Sequence, residues 1–267
     1  VTDVVLYEEY PPAYLPYVLR NHRWIRGDWQ LLPWLGRRVP SADGARVPTR
    51  LSVLDRWKIA DNIRRSLYAP AMLLFFLGAW CLFPGSPAVW TALGLVISAT
   101  PLITGALGAL VGALGGGSLR AAAPSLAMQA ARWLLGLLLV PLEAYLAVDA
   151  IARTLVRLFR TRRHLLEWTT AAATARRFGG TSDLSVTWRR MLPAPVLAVV
   201  AAGVLALARP AALGAAAPVL VGWLVSPQVV HWVSIPLVRR ERPLDKADRA
   251  MLRRLARRTW LWYERFV

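Results

Sequence analysis

Eleven residues near the N-terminal end carry most of the sequence's reactive chemistry. Arg20-Asn-His-Arg-Trp24 runs directly into Ile25-Arg-Gly-Asp-Trp-Gln30, so three Arg, two Trp, a His, an Asp and a Gln share one stretch ahead of long apolar runs. Guanidinium forks suit the paired oxygens of a diphosphate, and indole faces suit the C–H faces of sugar rings. Arg and Trp also anchor helices at membrane interfaces, so residue type alone leaves both roles open. The candidate binding residues are Arg20, Arg23, Trp24, Arg26, Asp28, Trp29 and Gln30. Tyr7-Glu-Glu-Tyr-Pro-Pro12 lies just upstream.

Other polar residues offer less. Glu143 and Asp149 sit in or near an apolar run, where ionisable groups are costly and often functional. They either line a path or pair with Arg153, or they lie on the wet face of an interfacial helix, which is the favoured reading. His164 and Glu167 are three apart, too few for a ligand set, and His231 ends an apolar run. With three scattered His and one Cys, Cys81, a zinc site or disulfide framework is excluded as an expectation. No metal site is expected in this chain. Gly115-Gly-Gly117 reads as a hinge, lacking the Lys-Ser/Thr of a phosphate loop. Asp245 and Asp248 read as helix-start residues rather than a carboxylate pair.

The elements that must position the Arg-Trp stretch are membrane-like. The 267 residues carry a net charge of +18 yet are 56% hydrophobic, with mean hydropathy +0.41. These facts reconcile because cations and apolar residues occupy different stretches. Residues 1–67 hold eleven Lys and Arg, 153–190 hold nine and 236–267 hold ten, whereas the short turns at 84–88 and 209–212 hold one. A span needs about 20 apolar residues. Tyr68–Phe83 with Val89–Val111, and Leu192–Ala208 with Leu213–His231, read as two hairpins. Trp133–Phe159 is either an interfacial or re-entrant helix or a fifth span. Basic loops stay cytosolic, and four spans place all three basic blocks on one side. Val39–Thr49 reads as a surface loop, and Ser52-Val-Leu-Asp55 as a capping box opening an amphipathic helix to Leu67. The expected fold class is mainly α, a polytopic helical membrane segment. Its divisions are 1–67, 68–111, 112–190 with the ambiguous helix 133–159, 191–235 and 236–267. Lipid phosphates account for the cations; nucleic acid is not an expected partner, since no groove-reading motif accompanies the charge. With no initial Met and no signal peptide, the sequence reads as an internal piece of a longer membrane protein.

Tyr7-Glu-Glu-Tyr-Pro11 followed by Arg23-Trp24-Ile-Arg-Gly-Asp-Trp-Gln30 resembles the Y-E-E-x-P and Q-x-x-R-W motifs of family-2-like processive glycosyltransferases, with Arg20 where the motif has Gln. His22-Arg-Trp-Ile-Arg-Gly-Asp-Trp-Gln-Leu-Leu-Pro33 is similar to one branch, the cyclic β-1,2-glucan synthases. So are Ser52–Ser66, Asp149-Ala-Ile-Ala-Arg-Thr154, Leu166-Glu-Trp-Thr-Thr-Ala-Ala172 and Leu255-Ala-Arg-Arg-Thr-Trp260. The resemblance implies the C-terminal end of a GT-A-like domain joined to membrane helices. It implies a parent in the bacterial inner membrane, multi-pass, with both ends of this piece cytosolic. That parent would be a hexosyltransferase taking UDP-glucose onto a growing glucan, with a phosphorylase-like module C-terminal in the same chain. A divalent cation, Mg or Mn, is implied in the parent, its ligands and the catalytic base lying upstream of Tyr7. Thr2-Asp-Val reads as a strand leading into Tyr7, so no catalytic residue is expected here and the fragment alone should be inactive. The alternatives are a membrane scaffold tethering cytosolic modules, or a piece of a cellulose- or hyaluronan-type synthase.

Overall fold

Ser52 opens the clearest local structure in the chain. Its hydroxyl accepts from the Asp55 amide at 3.1 Å while its own amide donates to the Asp55 carboxylate at 3.3 Å. This capping box satisfies two of the donors a helix start leaves free. The computed structural model describes residues 13–41, 45–165, 183–235 and 244–266. The strand expected before Tyr7, the Tyr7–Pro11 motif, Glu167 and the 166–172 string lie outside the described residues.

Among the described residues the chain is mainly α. Its helices are α1 Tyr14–Gln30, α2 Val53–Ser66, α3 Tyr68–Cys81, α4 Pro87–Ser98, α5 Thr100–Leu114, α6 Leu119–Val156, α7 Leu184–Met191, α8 Pro193–Ala208, α9 Leu213–Val233 and α10 Lys246–Phe266. The expected loop at 39–49 is instead built on a two-stranded hairpin, β1 Arg38–Pro40 with β2 Arg46–Pro48. Its register pairs Arg38 with Pro48 and Val39 with Val47. The chain divides into two compact units, up to Ile235 and from Pro236 onward.

In the first unit α6 is central, packing against α1, α3, α5, α8 and α9. Its core partners form an aromatic cluster. Phe76 stacks on Trp80 at 5.6 Å between ring centroids, and Trp80 lies 5.5 Å from Trp223. Ala198, Ala201, Ala212 and Ala216 are buried beside them, so α8 and α9 approach through small residues, as apolar helices do where packing rather than water exclusion holds them together.

Proline breaks are repaired by side chains. Pro141 cannot donate to the Leu137 carbonyl, and the Trp223 indole does so at 3.0 Å. Pro227 frees the Trp223 carbonyl, which accepts from the Ser226 hydroxyl at 2.9 Å. Pro101 frees that of Ile97, taken by the Thr100 hydroxyl at 2.7 Å. At one end of the bundle Arg209 donates to the carbonyls of Trp80, Phe83 and Gly85 at 3.1–3.3 Å, tying the α8–α9 turn to the α3–α4 turn.

The apolar runs differ from expectation in shape. Two stretches, Leu119–Thr161 and Pro210–Val233, are long and apolar enough to cross a membrane, or up to four if each bent pair counts once. The uniform span expected over Val89–Val111 is broken: α4 and α5 meet at 63°, beside Pro101. The α7–α8 pair bends by 54°, with Pro193 and Pro195 at the joint. The 133–159 stretch belongs to a helix that begins fourteen residues earlier, at Leu119, and contributes Leu139, Val140 and Leu142 to the buried core. Asp245 and Asp248 do start α10, each amide donating to the other's carboxylate, at 3.3 and 2.7 Å.

Candidate functional site

One face of α1 is fixed to α6 by small and polar residues together. Ile25 packs on Ala147 and Ala150, which are almost fully buried and let the two helices approach closely. Around that contact His22 Nε2 meets Asp149 Oδ2 at 2.9 Å, and Asp149 also accepts from Arg153 at 2.7 Å. The Tyr14 hydroxyl donates to Glu143 at 3.4 Å, and the Tyr14 amide to the Ser234 hydroxyl at 3.1 Å. Burial first, and then Glu143, hold the Tyr14 phenol protonated, its pKa raised well above 10. The second helix is braced at the far end, where the Trp29 indole donates to Ser66 at 2.9 Å and Asn62 to Asp28 at 3.1 Å.

These braces frame a cavity of about 690 Å³. Five of the seven candidate binding residues line it: Arg23, Trp24, Arg26, Asp28 and Gln30. Arg20 lies behind them, its guanidinium carbon 4.7 Å from the centre of the Trp24 ring, a cation–π contact. Trp24 remains half exposed, at 50%. Trp29 turns away to α2 and acts as a brace. Gln30 is tied by its amide to the Leu165 carbonyl at 2.7 Å. Burial pushes the Asp28 carboxyl up from its ordinary value, against the Asn62 hydrogen bond and the nearby Arg65 guanidinium.

The structure adds wall residues that spacing did not single out for binding: Asn62, Arg65 and Ser66 from α2, Tyr68 and Ala69 from α3, and Glu143 from α6. The three guanidiniums of Arg23, Arg26 and Arg65 outnumber the carboxyl groups of Asp28 and Glu143, so the cavity suits an anion. Its indole and amide groups suit a polyhydroxyl ring. Glu143 is not on an open wet face, as favoured from sequence: it lies partly buried beneath Tyr14, at the wall between this cavity and a second of about 680 Å³ that reaches Ser98, Gln129 and Trp133. Asp149 does pair with Arg153. Among the described residues no three His, Cys, Asp or Glu side chains converge as a metal site.

The His22 contact makes a pH prediction. Burial lowers the His22 pKa below its ordinary 6.5, outweighing the Asp149 bond that raises it, with Arg26 and Arg153 adding to the lowering. A lowered folded value means the undocked helix binds the proton more readily. The stability it contributes is present above pH 6.5 and is lost as pH falls through the lowered value. Melting curves from pH 7.5 to 5 should show the parent chain losing more stability than His22→Asn. Parallel pH profiles for the two would remove His22 as the cause.

The fold and this cavity define a mainly α segment with helices suited to a membrane, carrying a basic, aromatic cavity at one end. Over 274 aligned residues the chain is 32% identical to the cyclic beta-(1,2)-glucan synthase NdvB of Rhizobium meliloti (strain 1021). The alignment takes in 100% of this chain and 9% of that protein, as an internal fragment would. The resemblance carried by the Arg-Trp motif is thus a similarity of the whole chain. No family model matches it.

Proposed function

We propose that this chain is the acceptor- and diphosphate-side end of an inner-membrane glucosyltransferase, with the membrane region that follows it. The parent would be processive and make cyclic β-1,2-glucan from UDP-glucose. The observation that carries this reading is the convergence of Arg23, Trp24, Arg26, Asp28 and Gln30 on one cavity, in a chain similar throughout to a cyclic glucan synthase. Arg23 and Arg26 would hold the diphosphate oxygens, and Trp24, its ring backed by Arg20, would offer its open part to the acceptor sugar. The catalytic base and the ligands of a divalent Mg or Mn ion would come from segments upstream of Tyr7. A phosphorylase-like module would follow in the same parent. The three basic blocks support a topology in which both ends of the chain are cytosolic.

The test is product analysis from membranes of the full-length parent given radiolabelled UDP-glucose and divalent metal. Arg23→Ala and Trp24→Ala should each cut label in the cyclic glucan by about a hundredfold at equal protein level, the size expected when a positioning group is lost. Undiminished label would reduce the segment to a tether between cytosolic modules. A product of another linkage would keep the transferase reading and replace the polymer.

A further inference from the structure

The second unit carries a surface outside the proposed transfer site. Helix α10 runs 21 residues, Lys246–Phe266, and none of them is buried. Met251, Leu252, Leu255, Trp262, Tyr263 and Phe266 recur at helical spacing and share one side. At the C-terminal end their rings form a cluster, with Trp262 5.4 Å from Tyr263 and 5.7 Å from Phe266. Arg249, Arg253, Arg254, Arg257, Arg258 and Arg265 lie outside that stripe, with Lys246, against only Asp248 and Glu264 as acids. Trp260, on the polar side, donates its indole N–H to Glu264.

We propose that α10 lies on an anionic lipid surface. Its aromatic and aliphatic stripe occupies the headgroup–acyl boundary and its arginines contact lipid phosphate. Three features favour lipid over a protein groove. The cation excess complements a negative leaflet. Trp, Tyr and Phe concentrate in the stripe, where an interfacial helix places them. Twelve residues of chain separate Lys246 from the end of α9, a helix within a candidate span, so a membrane surface is within reach. The placement goes beyond the transfer site, and it survives if the sugar proves different.

Spin labels at single cysteines in the full-length parent test it, with Cys81 and the other native cysteines replaced by serine. Labels at 252, 255 and 259 sample the stripe, and labels at 253, 257 and 264 the opposite side. In phosphatidylcholine vesicles containing roughly one-third phosphatidylglycerol, the first set should be accessible to oxygen and the second to a water-soluble nickel chelate. Replacing Arg253, Arg254, Arg257 and Arg258 by Gln should shift the stripe labels toward the chelate, by about fivefold in bound-to-free ratio per arginine. Stripe labels shielded from both reagents would overturn the proposal in favour of packing on another part of the parent. Labels open to the chelate all round would overturn it in favour of a helix in solution. Transfer activity of the labelled proteins, read separately, reports on the sugar-transfer reading.

Discussion

Trp223→Phe is expected to destabilise the first unit by about 1–3 kcal/mol, the usual cost of leaving one buried polar group unpaired. The ring is fully buried and its replacement keeps most of the contact with Phe76 and Trp80. What is lost is the indole N–H that meets the Leu137 carbonyl at 3.0 Å. That carbonyl has no alternative in its own helix, because residue 141 is proline. Trp223→Ala adds a cavity and should cost about 3–5 kcal/mol. A second substitution separates the two effects. Pro141→Ala restores an amide one turn on, so Trp223→Phe with Pro141→Ala should recover the hydrogen-bond part of the loss but none of the cavity part. Unfolding in mild detergent of the four proteins of that cycle measures the coupling. If Trp223→Phe melts with the parent chain, the carbonyl finds another donor and the Trp–Pro pairing is incidental.

That pairing also marks what the sequence could and could not convey. Capping at Ser52 and Asp55, the start of α10 and the α8–α9 hairpin around Arg209 were legible, because each depends on neighbours within a few residues. The bend between α4 and α5 had a visible cause in Pro101, outweighed by the evenly apolar run around it. Likewise Arg-Val-Pro occurs at 38–40 and again at 46–48, and the two copies pair with each other, a repeat that turn-forming residues between them masked. The start of α6 at Leu119 was hidden because an Ala-rich helix with a proline at 124 lacks a decisive amphipathic pattern. Tyr14 on Glu143, His22 on Asp149 and Asn62 on Asp28 were illegible for a different reason. Each joins residues 34 to 129 apart, and nothing local to either partner encodes such a meeting. Five of the seven candidate binding residues do face one cavity, but helical spacing alone could not show that Trp29 would turn to Ser66.

Gly27 is expected to separate stability from activity. Glycine inside a helix is ordinarily unfavourable by about 1 kcal/mol relative to alanine, and at some helical positions close packing accounts for it. A Cβ at Gly94 would come within 2.9 Å of the Phe75 and Phe76 rings, and one at Gly222 within 2.7 Å of Leu138. At Gly27 an added Cβ meets nothing within 4 Å, yet the residue lines the 690 Å³ cavity between Arg26 and Asp28. Packing gives no reason for its small size, as at Gly108, Gly136 and Gly203, but Gly27 alone of these lines the cavity of the proposed transfer site. Gly27→Ala should melt no lower than the parent chain, and up to about 1 kcal/mol higher. Gly27→Leu, also a better helix former, should leave stability intact while cutting the glucan synthesis proposed for the full-length parent about a hundredfold, as a displaced reacting group does. The informative comparison is with Gly94→Leu, which should fail by unfolding. Should Gly27→Leu retain full synthesis, the substrate does not approach this turn of α1, and the binding role would have to rest on Arg23 and Trp24 alone.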